Sequence, residues 1–284
     1  MRRHFSKSFA ALGLAAFALG ALSATAGAQS LMERAKSGEP LRLGFANEVP
    51  WAYPGENKEP KGFVNAIAIG ILENMGYENI QPVVTEWGGL IPGLAAGRSD
   101  IITGGMYILK ERCESVAFSD PIGVFGDAFI VTAANPKGIQ NYQDIIEKDA
   151  VFVTGAGYNQ VKVAKQQGIP DGNIMEVPGP TEILAAVRAG RADAGGVTYF
   201  TARNLAEQSG GAVDVTDPKA LPEETLNWVG IAFRDEDQEF LEAFNEELAE
   251  YIGSDEMMAA VEEYGYTEAQ LPDDATTEYA CANR

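Results

Sequence analysis

Between residues 41 and 103, strand-length apolar runs alternate with helical stretches, and from 150 to 197 the alternation is written a second time. In the first unit, 41–45 alternates apolar and other residues, as a half-buried strand does. The stretch after Gly62 carries Ile67, Ile71 and Met75 on one helical face before Gly76 ends it. Residues 83–84 and 101–103 give two more strands, with a short helix over 90–96 between them. In the second unit, strands at 150–153, 174–177 and 193–197 are separated by helices at 159–167 and 182–189, each followed by a glycine. Strands separated by helices predict a parallel α/β sheet, and two such runs predict two of them. Two extended apolar segments, 127–133 and 228–233, lead into and out of the second unit. The chain therefore reads as α/β with two lobes joined by two hinge strands: 40–130 plus 232–284 as lobe 1, and 131–231 as lobe 2. Ligands of open α/β sheets bind beyond the carboxyl ends of the strands, so the residues after each strand are the ones to inspect.

The first 28 residues stand outside this pattern. Arg2, Arg3 and Lys7 precede an apolar run over 9–22, and Ala26-Gly27-Ala28 offers a small-residue cleavage point. This is the form of a secretory signal peptide cleaved after Ala28. The Arg2-Arg3 pair also fits a twin-arginine signal, so the export route stays open. No cysteine lies near the cleavage point, so no lipid anchor is expected, and no later stretch has the ~20 uninterrupted apolar residues of a membrane span.

Removing residues 1–28 takes three of the 21 basic residues and none of the 41 acidic ones, which moves the charge from −20 to −23. The acids are scattered rather than blocked, as on a solvated surface suited to salty surroundings. Such a chain should repel nucleic acid and anionic membranes. The single histidine, His4, leaves with the signal, which counts against His-based catalytic triads and most zinc sites. No metal, cofactor or catalytic residue is expected. Cys113 and Cys281 are the two cysteines. In an exported chain the simplest expectation is that they pair, tying the C-terminal tail to the segment that carries Arg112; two free thiols are the alternative.

The stretch L-I-P-G-L-A-A-G-R-S-D-I-I-T-G-G-M-Y-I-L-K-E-R (90–112), followed by V-A-F-S-D-P (116–121), resembles the solute-binding proteins of polar amino acid ABC importers. L-A-A-V-R-A-G-R-A-D-A (184–194) and V-G-I-A-F-R (229–234) resemble the same family in the same order. The resemblance covers nearly all of the chain after residue 28. It implies a type II periplasmic binding protein fold, and a non-enzymatic, monomeric receptor in the periplasm. Such a receptor binds one small solute and delivers it to the membrane subunits of an ABC importer.

The departures from that family narrow the solute. Its usual stretch is G-M-T-I-T-P-E-R, whereas Tyr107 and Leu109 stand at the two threonine positions here. The family's second-lobe aspartate, which pairs with an α-ammonium, aligns with Thr198. Losing these groups leaves a primary ammonium poorly matched. In their place Trp51, Trp87 and Tyr107 follow three successive strands, which lets three rings converge on one cleft. Rings of this kind attract diffuse cations at ~0.5–2 kcal/mol each. Glu48 would neutralise that charge, and Arg112 would grip a carboxylate by paired hydrogen bonds.

In the second lobe, Thr154-Gly155-Ala156-Gly157-Tyr158 precedes a helix, whose free N–H groups would meet the carboxylate from across the cleft. Tyr158 would add a fourth ring, and Thr198 a polar contact. The expected guest is a compact zwitterion with a delocalised cation. The pattern N-E-x-P-aromatic, W-G-G-L-I-P-G-L and E-R-C-E resembles the ectoine and hydroxyectoine binding members of the family. A receptor for a polar amino acid or a betaine is one alternative. An enzyme like the cyclohexadienyl dehydratases of the same fold, with Glu48 as its general acid, is another.

Overall fold

The computed structural model describes residues 29–284, and the expected signal peptide lies outside the described residues. The chain first lays down β1 (Leu41–Phe45), β2 (Ile80–Val84), β3 (Ile101–Tyr107), β4 (Ala117–Phe118) and β5 (Gly123–Phe125). It then builds a second sheet from β6 (Asp127–Thr132), β7 (Phe152–Gly155), β8 (Ile174–Val177), β9 (Ala194–Thr198) and β10 (Val213–Val215). Finally β11 (Asn227–Phe233) returns to the first sheet. The first sheet runs β2-β1-β3-β11-β4, with β5 also paired to β11, and the second runs β8-β7-β9-β6-β10.

Within each lobe the strands linked by helices are parallel, as the alternation predicts: β1 with β2 and β3, and β7 with β8 and β9. The two strands that arrive from the other lobe are antiparallel to their neighbours. β11 runs against β3, and β6 against β9. They reach their sheets without a crossover helix, so nothing forces the parallel sense.

The lobe boundaries differ from the sequence reading. Positions 130/131 and 231/232 fall inside β6 and β11, and each of those strands pairs along its length with one sheet. One crossing is Gly126, between β5 and β6, and the other precedes Asn227.

Helices cover the sheets with the stripes their spacing gives. Phe63–Asn74 buries Phe63, Ile67 and Ile71, and Gln238–Tyr251 buries Phe240, Phe244 and Leu248 in the same core. Cys113 and Cys281 are disulfide-bonded, with their Cα atoms 5.9 Å apart. The bond joins the four-residue helix Lys110–Cys113 to the C-terminal helix Thr277–Asn283, and the Lys110 N–H donates to the Arg284 carbonyl at 3.0 Å.

Candidate functional site

A cavity with about 330 Å³ of free space, partly open to solvent, lies between the lobes. Its lobe 1 wall begins in the short loop after β1. Glu48 and Ala52 exchange two backbone hydrogen bonds of 2.9 and 3.0 Å, which closes a tight loop and fixes where Glu48 and Trp51 point. The carbonyls of Pro50 and Trp51 accept from Phe63 and Val64, and so satisfy free N–H groups at the start of the helix Phe63–Asn74.

The Trp51 ring packs 4.8 Å from Phe63 and 4.5 Å from Phe125, centroid to centroid. The ring also lies against Phe200 and the backbone of β3. Gly105 has φ +80°, and a Cβ there would run into the Trp51 ring. The glycine therefore serves both an unusual backbone angle and a close approach.

Trp87 opens the 3₁₀ turn Trp87–Gly89 after β2. Its indole N–H donates to the Gly157 carbonyl at 3.2 Å, and its ring meets Tyr158 edge-on at 5.4 Å. Gly157 also has positive φ, and a Cβ there would sit 3.5 Å from both Trp87 and Gly88. Arg112 lies with its guanidinium carbon 5.7 Å from the centre of the Trp87 ring. It donates to the Tyr107 carbonyl at 3.1 Å and the Gly157 carbonyl at 3.3 Å.

Glu48 is 5% exposed and takes two hydroxyl donors from lobe 2: Tyr158 at 2.7 Å and Thr201 at 2.8 Å. Trp51 donates its indole N–H to the Thr198 hydroxyl at 3.0 Å, and Tyr107 donates its hydroxyl to Asp127 at 3.0 Å. These contacts cross between the lobes, so the structure is a closed one.

The charges explain themselves by contrast with the scaffold. Asp100 is buried, but Arg34 and Arg42 contact it at 2.7 and 2.8 Å and hold its carboxyl well below the usual range. Asp237 has Arg234 at 2.8 Å. Three other buried charged residues, Glu48, Asp127 and Arg112, form no ion pair among the described residues. Glu48 and Arg112 line the cavity, and Asp127 is bonded to Tyr107, which also lines it.

Each of the three titrates abnormally because burial penalises its charge. Burial pushes the Glu48 carboxyl up, against the Tyr158 and Thr201 hydroxyls. It pushes Asp127 up to about 7, against the Tyr107 hydroxyl. It lowers Arg112 to about 10, against Glu111 and Tyr107. Unpaired buried charges are costly, so their concentration at one cavity marks a site built for a charged guest.

Of the residues read from the sequence, Glu48, Trp51, Trp87, Tyr107, Arg112, Tyr158 and Thr198 line the cavity together. Gly157 does not itself line the cavity, but its carbonyl holds Trp87 and Arg112, which do. Thr154 is not brought to it. Its side chain is fully buried in the second sheet, where the hydroxyl donates to the Gly196 carbonyl at 2.8 Å. The Thr198 hydroxyl is taken up by Trp51, by Thr201 and by capping the helix Tyr199–Gln208. Sequence reasoning missed Asn159 and Gln160, which line the cavity from the first turn of Asn159–Gln167, and Thr201 behind Glu48. The signal for the first two was present, since both follow the glycine turn directly.

Residues 41–267 match the bacterial extracellular solute-binding proteins, family 3. The chain belongs to this family. Like its relatives, this family 3 protein is a solute-binding receptor of the amino-acid ABC importer group. The probable amino-acid ABC transporter periplasmic-binding protein y4tE of Sinorhizobium fredii (strain NBRC 101917 / NGR234) is 35% identical over 270 residues, which span 92% of this chain and 89% of that one. The L-cystine-binding protein TcyJ of Escherichia coli (strain K12) is 25% identical over 224 residues, spanning 78% of this chain and 81% of that one. Among solved structures, EhuB in complex with hydroxyectoine matches with a TM-score of 0.80 at 30% identity, covering 89% of this chain and 98% of that one. The ancestral amino acid-binding protein AncCDT-1, a precursor of cyclohexadienyl dehydratase, matches with a TM-score of 0.72 at 28% identity, covering 83% and 99%.

Proposed function

We propose that this family 3 protein is the periplasmic receptor that captures ectoine or hydroxyectoine and hands it to the membrane subunits of an ABC importer. The observation that carries the reading is the pair of buried, unpaired opposite charges, Glu48 and Arg112, on one cavity walled by aromatic rings. A cyclic amidinium carboxylate complements that arrangement. Its delocalised cation would lie among Trp51, Trp87, Tyr107 and Tyr158 and face Glu48. Its carboxylate would take the Arg112 guanidinium, helped by the free N–H groups at the start of Asn159–Gln167. The hydroxyectoine held by EhuB, at 30% identity, supports the same solute class.

The cross-lobe contacts supply the transport logic. The open form would load solute on the lobe 1 rings and Arg112. Closure would bring Tyr158, Gly157 and the Thr198–Thr201 hydroxyls across, shifting the population by the solute's preference for the closed state. The receptor would act as a monomer released by cleavage after Ala28.

The test is a thermal-shift panel followed by calorimetry on the purified protein. Ectoine or hydroxyectoine should raise the melting temperature more than glycine betaine, arginine or cystine, and bind one to one. A panel in which only an α-amino acid shifts the melt would replace this reading with amino-acid capture. Turnover of prephenate or arogenate would replace it with an enzyme.

A further inference from the structure

The loop 48–52 of lobe 1 is held at both ends by one side-chain chain that runs through lobe 2. The Trp51 N–H donates to the Thr198 hydroxyl at 3.0 Å. Thr198 bonds the Thr201 hydroxyl at 2.9 Å, and Thr201 bonds Glu48 at 2.8 Å. An indole N–H can only donate, and an ionised carboxylate can only accept. Every proton in the chain therefore points the same way, from Trp51 through Thr198 and Thr201 to Glu48. Chains that run in one direction reinforce each link.

Thr201 is 1% exposed and does not line the cavity. It sits in the first turn of Tyr199–Gln208 and faces Glu48 from behind. The two Glu48 oxygens are divided between Thr201 and Tyr158. With no cation beside it, the carboxylate depends on these two hydroxyls once closure removes water.

We propose that Thr201 is the positioning residue for Glu48 in the closed protein, and that its hydroxyl sets the cavity's affinity for a solute with a positive pole. Thr201 acts through Glu48 and through lobe closure, since the bond exists only when the lobes meet. The proposal rests on the reading that Glu48 faces the cationic pole of the solute. Two substitutions separate the hydroxyl from the shape it occupies. Thr201→Val keeps the branched volume and loses the donor, whereas Thr201→Ser keeps the donor and loses a methyl.

The test is calorimetric titration of the full chain with hydroxyectoine, together with ligand-free melting curves. Thr201→Val should bind about tenfold more weakly, the expected order for a lost hydrogen bond to a buried charge. Thr201→Ser should stay within about twofold of the unsubstituted protein. The ligand-free melting temperature of Thr201→Val should not fall in step with its affinity. Unchanged affinity in Thr201→Val overturns the proposal. So does a serine variant as weak as the valine one, which would assign the effect to the methyl group. Should the valine variant not fold, Thr201→Ala removes the same hydroxyl without branched bulk and is read by the same criterion. If the unsubstituted protein gives no heat with hydroxyectoine, the solute assignment has failed. The variants are then titrated with glycine betaine and arginine, which also carry a positive pole, and the same two outcomes decide.

Discussion

Asp127 and Thr198 face each other across one antiparallel rung of β6 and β9, and each receives a hydrogen bond from a lobe 1 ring that lines the cavity. Tyr107 donates to Asp127 and Trp51 donates to Thr198, both at 3.0 Å. Asp127 is also the first residue after the Gly126 crossing. The point where the chain changes lobe is thus the point where two cavity walls are fastened, so a change in lobe angle must move or break these bonds.

Asp127 should make stability depend on pH. Its carboxyl is raised to about 7 by burial, while an unfolded aspartate titrates near ~3.9. Folding therefore takes up a proton between these values. The stability associated with this group is greatest in acid and is lost as pH rises from about 4 through about 7. Asp127→Asn removes the titration and keeps the shape. Urea melts at pH 5 and pH 8 should show the variant gaining on the unsubstituted protein by roughly 2–3 kcal/mol over that interval. Parallel pH profiles for the two proteins would show that Asp127 does not titrate in this window.

Arg112 is buried with two carbonyls as partners and no anion. On the proposed reading the solute carboxylate supplies that anion. Arg112→Ala should weaken hydroxyectoine binding by about a hundredfold or more, since loss of one partner leaves a desolvated charge. Arg112→Lys keeps the charge but not the planar fork, and should still lose about tenfold. Neither variant should melt much below the unsubstituted protein without solute, because the buried guanidinium has no ion partner to lose. Calorimetry showing native affinity in Arg112→Ala would remove the residue from the site.

The two tryptophans should fail differently. Trp51 packs among Phe63, Phe125 and Phe200 and is 2% exposed. Trp51→Ala should cost about 3–5 kcal/mol of stability as well as affinity. Trp87 is only partly buried, with its ring on Tyr158 and near Arg112. Trp87→Ala should weaken binding by at least about 1 kcal/mol, with a much smaller change in the melt. Equal losses of stability in both variants would mean that Trp87 is core rather than cavity wall.

The lobe 1 half of the site was legible because strand ends are legible. Glu48, Trp51, Trp87, Tyr107 and Arg112 each follow or end a parallel strand, and such positions converge by topology alone. The lobe 2 half was legible only in part, through Tyr158 and Thr198. Thr201 reaches Glu48 from 153 residues away, and only when the lobes are closed, so no local pattern announces it. Thr154 misled for a related reason. It precedes the glycine turn, but strand alternation turns its side chain into the sheet, toward Gly196, rather than toward the turn. The lobe boundaries slipped by a few residues because apolar runs such as 127–133 look alike whichever sheet they join.

The disulfide supplies the last prediction. Cys113 and Cys281 close a loop of 168 residues, for which the chain-entropy account gives about 5 kcal/mol. Measured values generally fall short of that account, and about 2–4 kcal/mol is typical. The bond also anchors one end of the four-residue helix that carries Arg112. That helix has other restraints, since Lys110 bonds the Arg284 carbonyl and Arg112 itself bonds Tyr107. The double variant Cys113→Ser, Cys281→Ser should therefore lose stability more than function. Its urea midpoint should drop by the equivalent of about 2–4 kcal/mol, while hydroxyectoine affinity at 25 °C weakens less than tenfold. Adding reductant to the unsubstituted protein should reproduce both changes. A midpoint that does not move on reduction would show that the tail is held by its hydrogen bonds and not by the sulfur bridge.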